Sequence, residues 1–150
     1  MPSLDNMMLR QIIMDHYENP RNRELVEDDS YKKVNMDSET CIDNIDIQAK
    51  IEDGVIKDIR FDGEACAICT SSTSIMTELL IGKTIDEARV IIENYMNMIF
   101  EKDYDPEILE EAIAFYNTHK QANRIKCATL GWKGITQLID ESEKEDTHGK

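Results

Sequence analysis

The chain has 150 residues, 41% of them hydrophobic, and a formal net charge of −14 from 17 basic and 31 acidic side chains. That length fits one ordinary domain around a single core. No apolar run reaches the roughly 20 residues that cross a membrane, and no dense Lys/Arg stripe offers a footprint for a phosphate backbone. The first ten residues lack the basic and apolar regions of a secretory signal, so the expected setting is cytoplasmic, with neither membrane nor nucleic acid as partner.

The first periodic segment runs from about residue 3 to 18, with Leu9, Ile12, Ile13 and His16 on one helical face. Asn19-Pro20 ends it, since a residue before proline is pushed away from helical dihedrals. His16 on that packing face reads as a satisfied core or interface histidine rather than a ligand. Residues 21–40 read as a polar, irregular connection.

Ile45, Ile47, Ala49 and Ile51 then alternate with polar residues, the period of a half-buried strand. Asp53-Gly54 is strong turn chemistry, and Val55, Ile59 and Phe61 continue one face of a return strand, predicting a β-hairpin over 44–62. Beyond Gly63, Thr70 and Ser71 are candidate caps for a helix carrying Ile75, Met76, Leu79 and Leu80 inward, with Gly82 placed to end it. Thr84 and Glu87 form a capping-box pattern for the next helix. Asp105-Pro106 is a cap followed by proline at the first position of another.

The last helix is expected from about Cys127 to Ile139. Gly131 and Gly134 each weaken it by about 1 kcal/mol relative to alanine, so packing must hold it. The fold class that follows is α+β, a small antiparallel sheet with helices packed on it in a single compact domain over 1–140. Residues 141–150 form a charged stretch expected to be a disordered acidic tail.

Four cysteines stand at 41, 66, 69 and 127. Without a secretory signal, metal or thiol chemistry is a better reading than a disulfide framework, with buried apolar thiols as the plain alternative. The predicted elements make them converge. Cys41 and Asp43 precede the first hairpin strand, Cys66 follows the second, Cys69 starts the next helix and Cys127 the last. Helix N-termini favour thiolate, and three cysteines with an aspartate make a plausible four-coordinate zinc site. Spacing alone does not specify it.

Cys66 and Cys69 form a CxxC, but without the βαβ context of thioredoxin-type redox pairs. No glycine-rich phosphate loop and no G-x-S-x-G elbow occurs.

The stretch LRQIIMDHYENPRN (9–22), Cys41-x-Asp43, FDGEACAIC with TSSTSIMTELLIGK (61–83), and RIKCATLGW (124–132) together resemble the SufU/IscU family of iron–sulfur cluster assembly proteins. The resemblance covers roughly residues 5–140 and implies a SufE/NifU-like fold. The long segment between Cys66 and Cys127, Lys126 where scaffold-type members commonly carry histidine, and QANRIK in place of an LPPVK segment favour the SufU-like branch.

The resemblance implies Zn²⁺ held by Cys41, Asp43, Cys66 and Cys127. It further implies that Cys41 takes persulfide sulfur from a SufS-type cysteine desulfurase and passes it to downstream cluster-assembly proteins. The alternative it carries is a scaffold holding iron or a transient [2Fe–2S] cluster on the same cysteines. The chain departs from the family at Ser38–Asp43, which lacks the usual proline and glycine around the first cysteine. It departs again at Cys69, where serine is common. Cys69 is thus an additional or alternative ligand candidate, or a spare buried thiol.

Overall fold

A computed structural model describes residues 6–39 and 42–148. Helix α1 spans Asn6–Glu18, followed by strands β1 (Lys32–Asp37), β2 (Asn44–Glu52) and β3 (Val55–Glu64). Helices α2 (Ala67–Leu80) and α3 (Ile85–Ile99) come next, then a 3₁₀ segment Pro106–Phe115, a 3₁₀ turn Thr118–Lys120 and helix α4 (Ala122–His148). The strands form one antiparallel sheet in the order β1-β2-β3.

The expected hairpin is present, with Ile47 opposite Phe61. Asp53 and Gly54 both have positive φ, 55° and 72°, as a two-residue hairpin turn requires. A register shift pairs Lys50 with Asp58 but Ile51 with Ile56, leaving Lys57 as the extra residue of a bulge. The bulge changes the phase of β3, so Ile56 enters the core while Val55 is only half-buried.

Strand β1 lies inside the stretch that was expected to be irregular. It carries two lysines and buries only Met36 fully, so the sheet edge it forms has no clear alternation. Helix α4 covers one face of β1 and β2. The chain between α1 and β1 is tied to the sheet by Gln48, whose amide accepts from Val26 N–H and donates to Val26 C=O, both at 2.8 Å.

Thr84 and Glu87 make the expected capping box, and Asp105 caps the segment begun by Pro106. That segment is 3₁₀ rather than α-helix, broken at Glu110, where φ is 47° and ψ −124°. Helix α4 starts at Ala122, five residues before Cys127, and continues past Ile139. Of the stretch 141–150 expected to be a disordered tail, 149 and 150 lie outside the described residues, and residues 141–148 belong to α4. Arg89 of α3 pairs there with Asp140 at 2.8 Å and with Glu143, and Lys32 pairs with Glu145 at 2.9 Å.

At the centre, the Tyr95 and Trp132 rings stack 3.9 Å apart. Ser72 accepts from Trp132 Nε1–H at 3.0 Å and donates to the Ala128 carbonyl at 2.7 Å. Gly131 faces Thr73 of α2 so closely that a Cβ would collide with it, and Gly134 meets Ile47 and Met36 in the same way. The two glycines that weaken α4 locally are what let it pack tightly on α2 and the sheet.

His16 is fully buried, with Nδ1 2.8 Å from Ser74 Oγ and Nε2 3.0 Å from Glu111 Oε1. It is a satisfied packing-face histidine, joining α1, α2 and the 3₁₀ segment.

Candidate metal centre

Three elements deliver one side chain each. Asp43 ends the β1–β2 connection, Cys66 immediately precedes α2, and Cys127 lies in the second turn of α4. Their ligand atoms all lie within 4.8 Å of one another. Asp43 and Cys127 are buried and Cys66 is half-buried.

The hairpin register explains half of this convergence: Asn44 pairs with Glu64, so the residues flanking that pair, Asp43 and Ala65-Cys66, leave the sheet at one end. Asp43 Oδ1 accepts the Cys66 N–H at 2.7 Å, and Oδ2 lies 3.7 Å from Cys66 Sγ. The Asp43 C=O also accepts Ser38 N–H at 3.0 Å, closing the connection between β1 and β2. Packing of α2 on α4, made close by Gly131, brings in Cys127.

Cys66, rather than Thr70 or Ser71, is the N-cap of α2: its Sγ accepts the Cys69 N–H at 3.4 Å. A sulfur acceptor is outside the usual Ser/Thr/Asp/Asn signal, which hid the true start of the helix. The carboxylate contact from Asp43 to the Cys66 amide likewise had no sequence signal.

Cys127 does not enjoy the N-terminal position expected of it. It lies inside the helix, its S–H 3.8 Å from the Asn123 carbonyl. Burial pushes its thiol well above the ordinary range, and hydrogen bonding to Asp43 and Cys66 pushes it the same way. Cys69 is fully buried in the hydrophobic core and is not in the Asp43–Cys66–Cys127 group. Cys41 lies outside the described residues, between Glu39 and a solvent-exposed Ile42. None of Cys66, Cys69 and Cys127 is in a disulfide.

Two thiols and a carboxylate thus converge in a largely buried space, and each would carry negative charge in its ligating form. Such a donor set fits a divalent cation of intermediate softness, for which thiolate, imidazole and carboxylate are all ligands.

The sequence matches the family model described as NifU-like N terminal domain over residues 8–146. The chain belongs to that family. It is 37% identical over 137 residues to the zinc-dependent sulfurtransferase SufU of Bacillus subtilis, covering 91% of this chain and 92% of that protein. It is 30% identical over 138 residues to the iron-sulfur cluster assembly scaffold protein IscU of Streptococcus pyogenes, covering 91% of this chain and 86% of the relative.

Among solved structures, it resembles a putative iron-sulfur cluster assembly scaffold protein for the SUF system from Fervidobacterium islandicum. The TM-score is 0.79 at 29% identity, over 86% of this chain and 94% of that one. The NifU-like fold expected from the sequence, a small antiparallel sheet with packed helices in one compact domain, is the fold observed. No helix among the described residues is long and apolar enough to cross a membrane.

Proposed function

We propose that this family member is a zinc-dependent sulfurtransferase of iron–sulfur cluster assembly. In this reading Asp43, Cys66 and Cys127 hold Zn²⁺, and Cys41 completes the site and accepts sulfur. The observation that carries the proposal is the buried convergence of Asp43, Cys66 and Cys127 within 4.8 Å. The likeness to the B. subtilis sulfurtransferase along nearly the whole of both chains supports it.

Bound zinc would supply Lewis acidity that keeps its sulfur ligands as thiolates near neutral pH. The chain's own residues do the rest. Asp43 grips the Cys66 amide and fixes the approach of α2 to the sheet. Cys66 takes its direction from the Cys69 amide, and Cys127 is held rigid in the interior of α4.

Cys41, as thiolate, attacks the outer sulfur of a persulfide carried on a cysteine of a desulfurase of the SufS type. The S–S bond breaks, its electron pair leaves with the partner's cysteine as thiolate, and Cys41 becomes the persulfide. No external oxidant is consumed. Delivery to a downstream cluster-assembly protein repeats the same exchange, with Cys41 now the leaving thiolate.

The test is metal content and the ultraviolet–visible spectrum of protein purified without added metal, followed by mass spectrometry after exposure to desulfurase and L-cysteine. Near-stoichiometric zinc, a colourless solution and a 32-Da increment on Cys41, absent in Cys41→Ala, are the expected results. The likeness to the S. pyogenes scaffold protein supports a second reading, in which the same cysteines hold a [2Fe–2S] cargo. Iron with sulfide-to-iron charge-transfer bands, and no persulfide on Cys41, would favour it.

A further inference from the structure

The chain has six arginines, at 10, 21, 23, 60, 89 and 124. In a protein with so large an acidic excess, each is expected to find a carboxylate. Four do: Arg21 with Asp15 at 2.7 Å, Arg23 with Asp62 at 3.3 Å, Arg60 with Asp58 at 2.8 Å and Arg89 with Asp140 at 2.8 Å. Arg10 on α1 and Arg124 in the first turn of α4 make no ion pair or side-chain hydrogen bond among the described residues.

Both unpaired arginines line the same cleft. It measures about 350 Å³ and opens between α1, the end of the 3₁₀ segment and the start of α4. Leu9, Ile13, Ile68 and Phe115 also line it, so apolar surface lies beside two guanidinium groups that pair with no carboxylate among the described residues.

The surface beside the cleft continues the pattern. Met7, Arg10, Met14 and Tyr17 follow helical spacing on one side of α1, and Met7, Met14 and Tyr17 are 69%, 46% and 44% exposed. Methionine is adaptable at binding surfaces, and Arg, Met and aromatic residues are enriched at interfaces where Lys is depleted.

The geometry points to a docking surface for a partner protein, in which the cleft and the outer face of α1 receive an acidic segment anchored by apolar side chains. Charge complementarity sets the sign of the partner. Both guanidinium groups are exposed, so a lone carboxylate gains little from them in water; apolar anchoring must add affinity. The stripe from Met7 to Tyr17 runs about 15 Å along the helix, a length suited to a peptide segment. None of the metal-ligand candidates lines the cleft, but Arg124 lies one helical turn before Cys127 and Ile68 lies between Cys66 and Cys69. The zinc content of each variant is therefore measured beside its peptide binding, to keep the two readings distinguishable.

The test uses the full chain and a fluorescein-labelled hexapeptide, Glu-Glu-Leu-Leu-Glu-Glu, followed by fluorescence anisotropy at low salt. Saturable binding is expected. It should weaken at least tenfold in the Arg10→Glu/Arg124→Glu variant and less in Arg10→Gln/Arg124→Gln, and it should be absent for the uncharged counterpart Gln-Gln-Leu-Leu-Gln-Gln. Circular dichroism and melting temperature confirm that the exposed substitutions leave the fold intact. No binding of the acidic peptide, or equal binding by the charge-reversal variant, would overturn the proposal. Competition by glutarate as effective as by unlabelled peptide would overturn it too, because the cleft would then take a small dicarboxylate.

Discussion

The carboxylate of Asp43 accepts the backbone N–H of Cys66 at 2.7 Å, across 23 residues of chain. One side chain thereby holds together the two segments that enclose the candidate metal centre, whether or not it also binds metal. Two substitutions separate these roles. Asp43→Asn keeps a carbonyl acceptor for the amide and loses the charge; Asp43→Ala loses both. Zinc affinity, measured by competition with a chromogenic chelator, should fall at least about tenfold in each. Only the alanine variant should also lose about 1–3 kcal/mol of metal-free stability in urea unfolding, from the orphaned amide.

Cys69 tests the boundary of the site. Its side chain is fully buried in the core and, among the described residues, it is not in the Asp43–Cys66–Cys127 group. Cys69→Ser should retain full zinc stoichiometry while costing about 1–3 kcal/mol for burying a hydroxyl. Loss of metal in that variant would make Cys69 a ligand.

Alkaline pH should destabilise the metal-free protein. Cys127 is pushed up from 9.0, first by burial and then by hydrogen bonding to Asp43 and Cys66. Tyr31 is pushed up from 10.0 to about 12, first by its hydrogen bond to Asp58 and then by burial. An acid whose folded pKa is raised contributes stability that is complete below its unfolded value and lost as pH climbs toward the folded one. Melting temperature should therefore decline from about pH 9 upward. The Tyr31→Phe variant should lose less of its stability between pH 10 and about 12.

Gly131→Ala and Gly134→Ala should destabilise the protein, although alanine is by far the better helix former. Each Cβ would meet packed neighbours, Thr73 in one case and Ile47 with Met36 in the other. Overpacking of this kind costs about 1–3 kcal/mol, offset by about 1 kcal/mol of helix propensity. The net loss should be larger at Gly131, which meets the short Thr73 side chain, than at Gly134, which meets the longer side chains of Ile47 and Met36. Thermal melts should show the loss, with Gly131→Ala also loosening zinc because it forces α4, and Cys127 with it, away from α2.

The sequence made some elements plain and concealed others for physical reasons. Strand β2 was legible because its alternation and Asp53-Gly54 agree with each other; β3 was legible as a return strand, but the bulge put Ile56 rather than Val55 in the core with Ile59 and Phe61. The capping box at Thr84 and Glu87 was legible because local hydrogen bonds alone define it. Strand β1 was not: its lysines face solvent at a sheet edge, and one buried methionine makes no pattern. The break at Glu110 has no glycine to announce it. Helix α4 was cut short at both ends because its flanks are polar, and polarity does not distinguish a tail from a helix tied down by Arg89 and Lys32.

For the site, chain order and hairpin geometry drew Cys66 back toward Cys41 and Asp43; Asp43 does meet Cys66, while Cys41 lies outside the described residues. Order and geometry could not reveal that Cys127 is interior to its helix, since that depends on where α4 begins.

The cap on α2 has one more consequence. Cys66 Sγ lends electron density to the Cys69 amide, and a sulfur that also shares that density with a cation is a poorer acceptor. The amide proton of Cys69 is therefore an internal gauge of the charge on Cys66. Its chemical shift and exchange rate should follow loading, emptying and sulfur hand-over in real time, with no probe attached. Because α2 is buried along nearly its whole length, the gauge sits on a helix shielded from solvent, where changes in the surrounding medium would move the needle little.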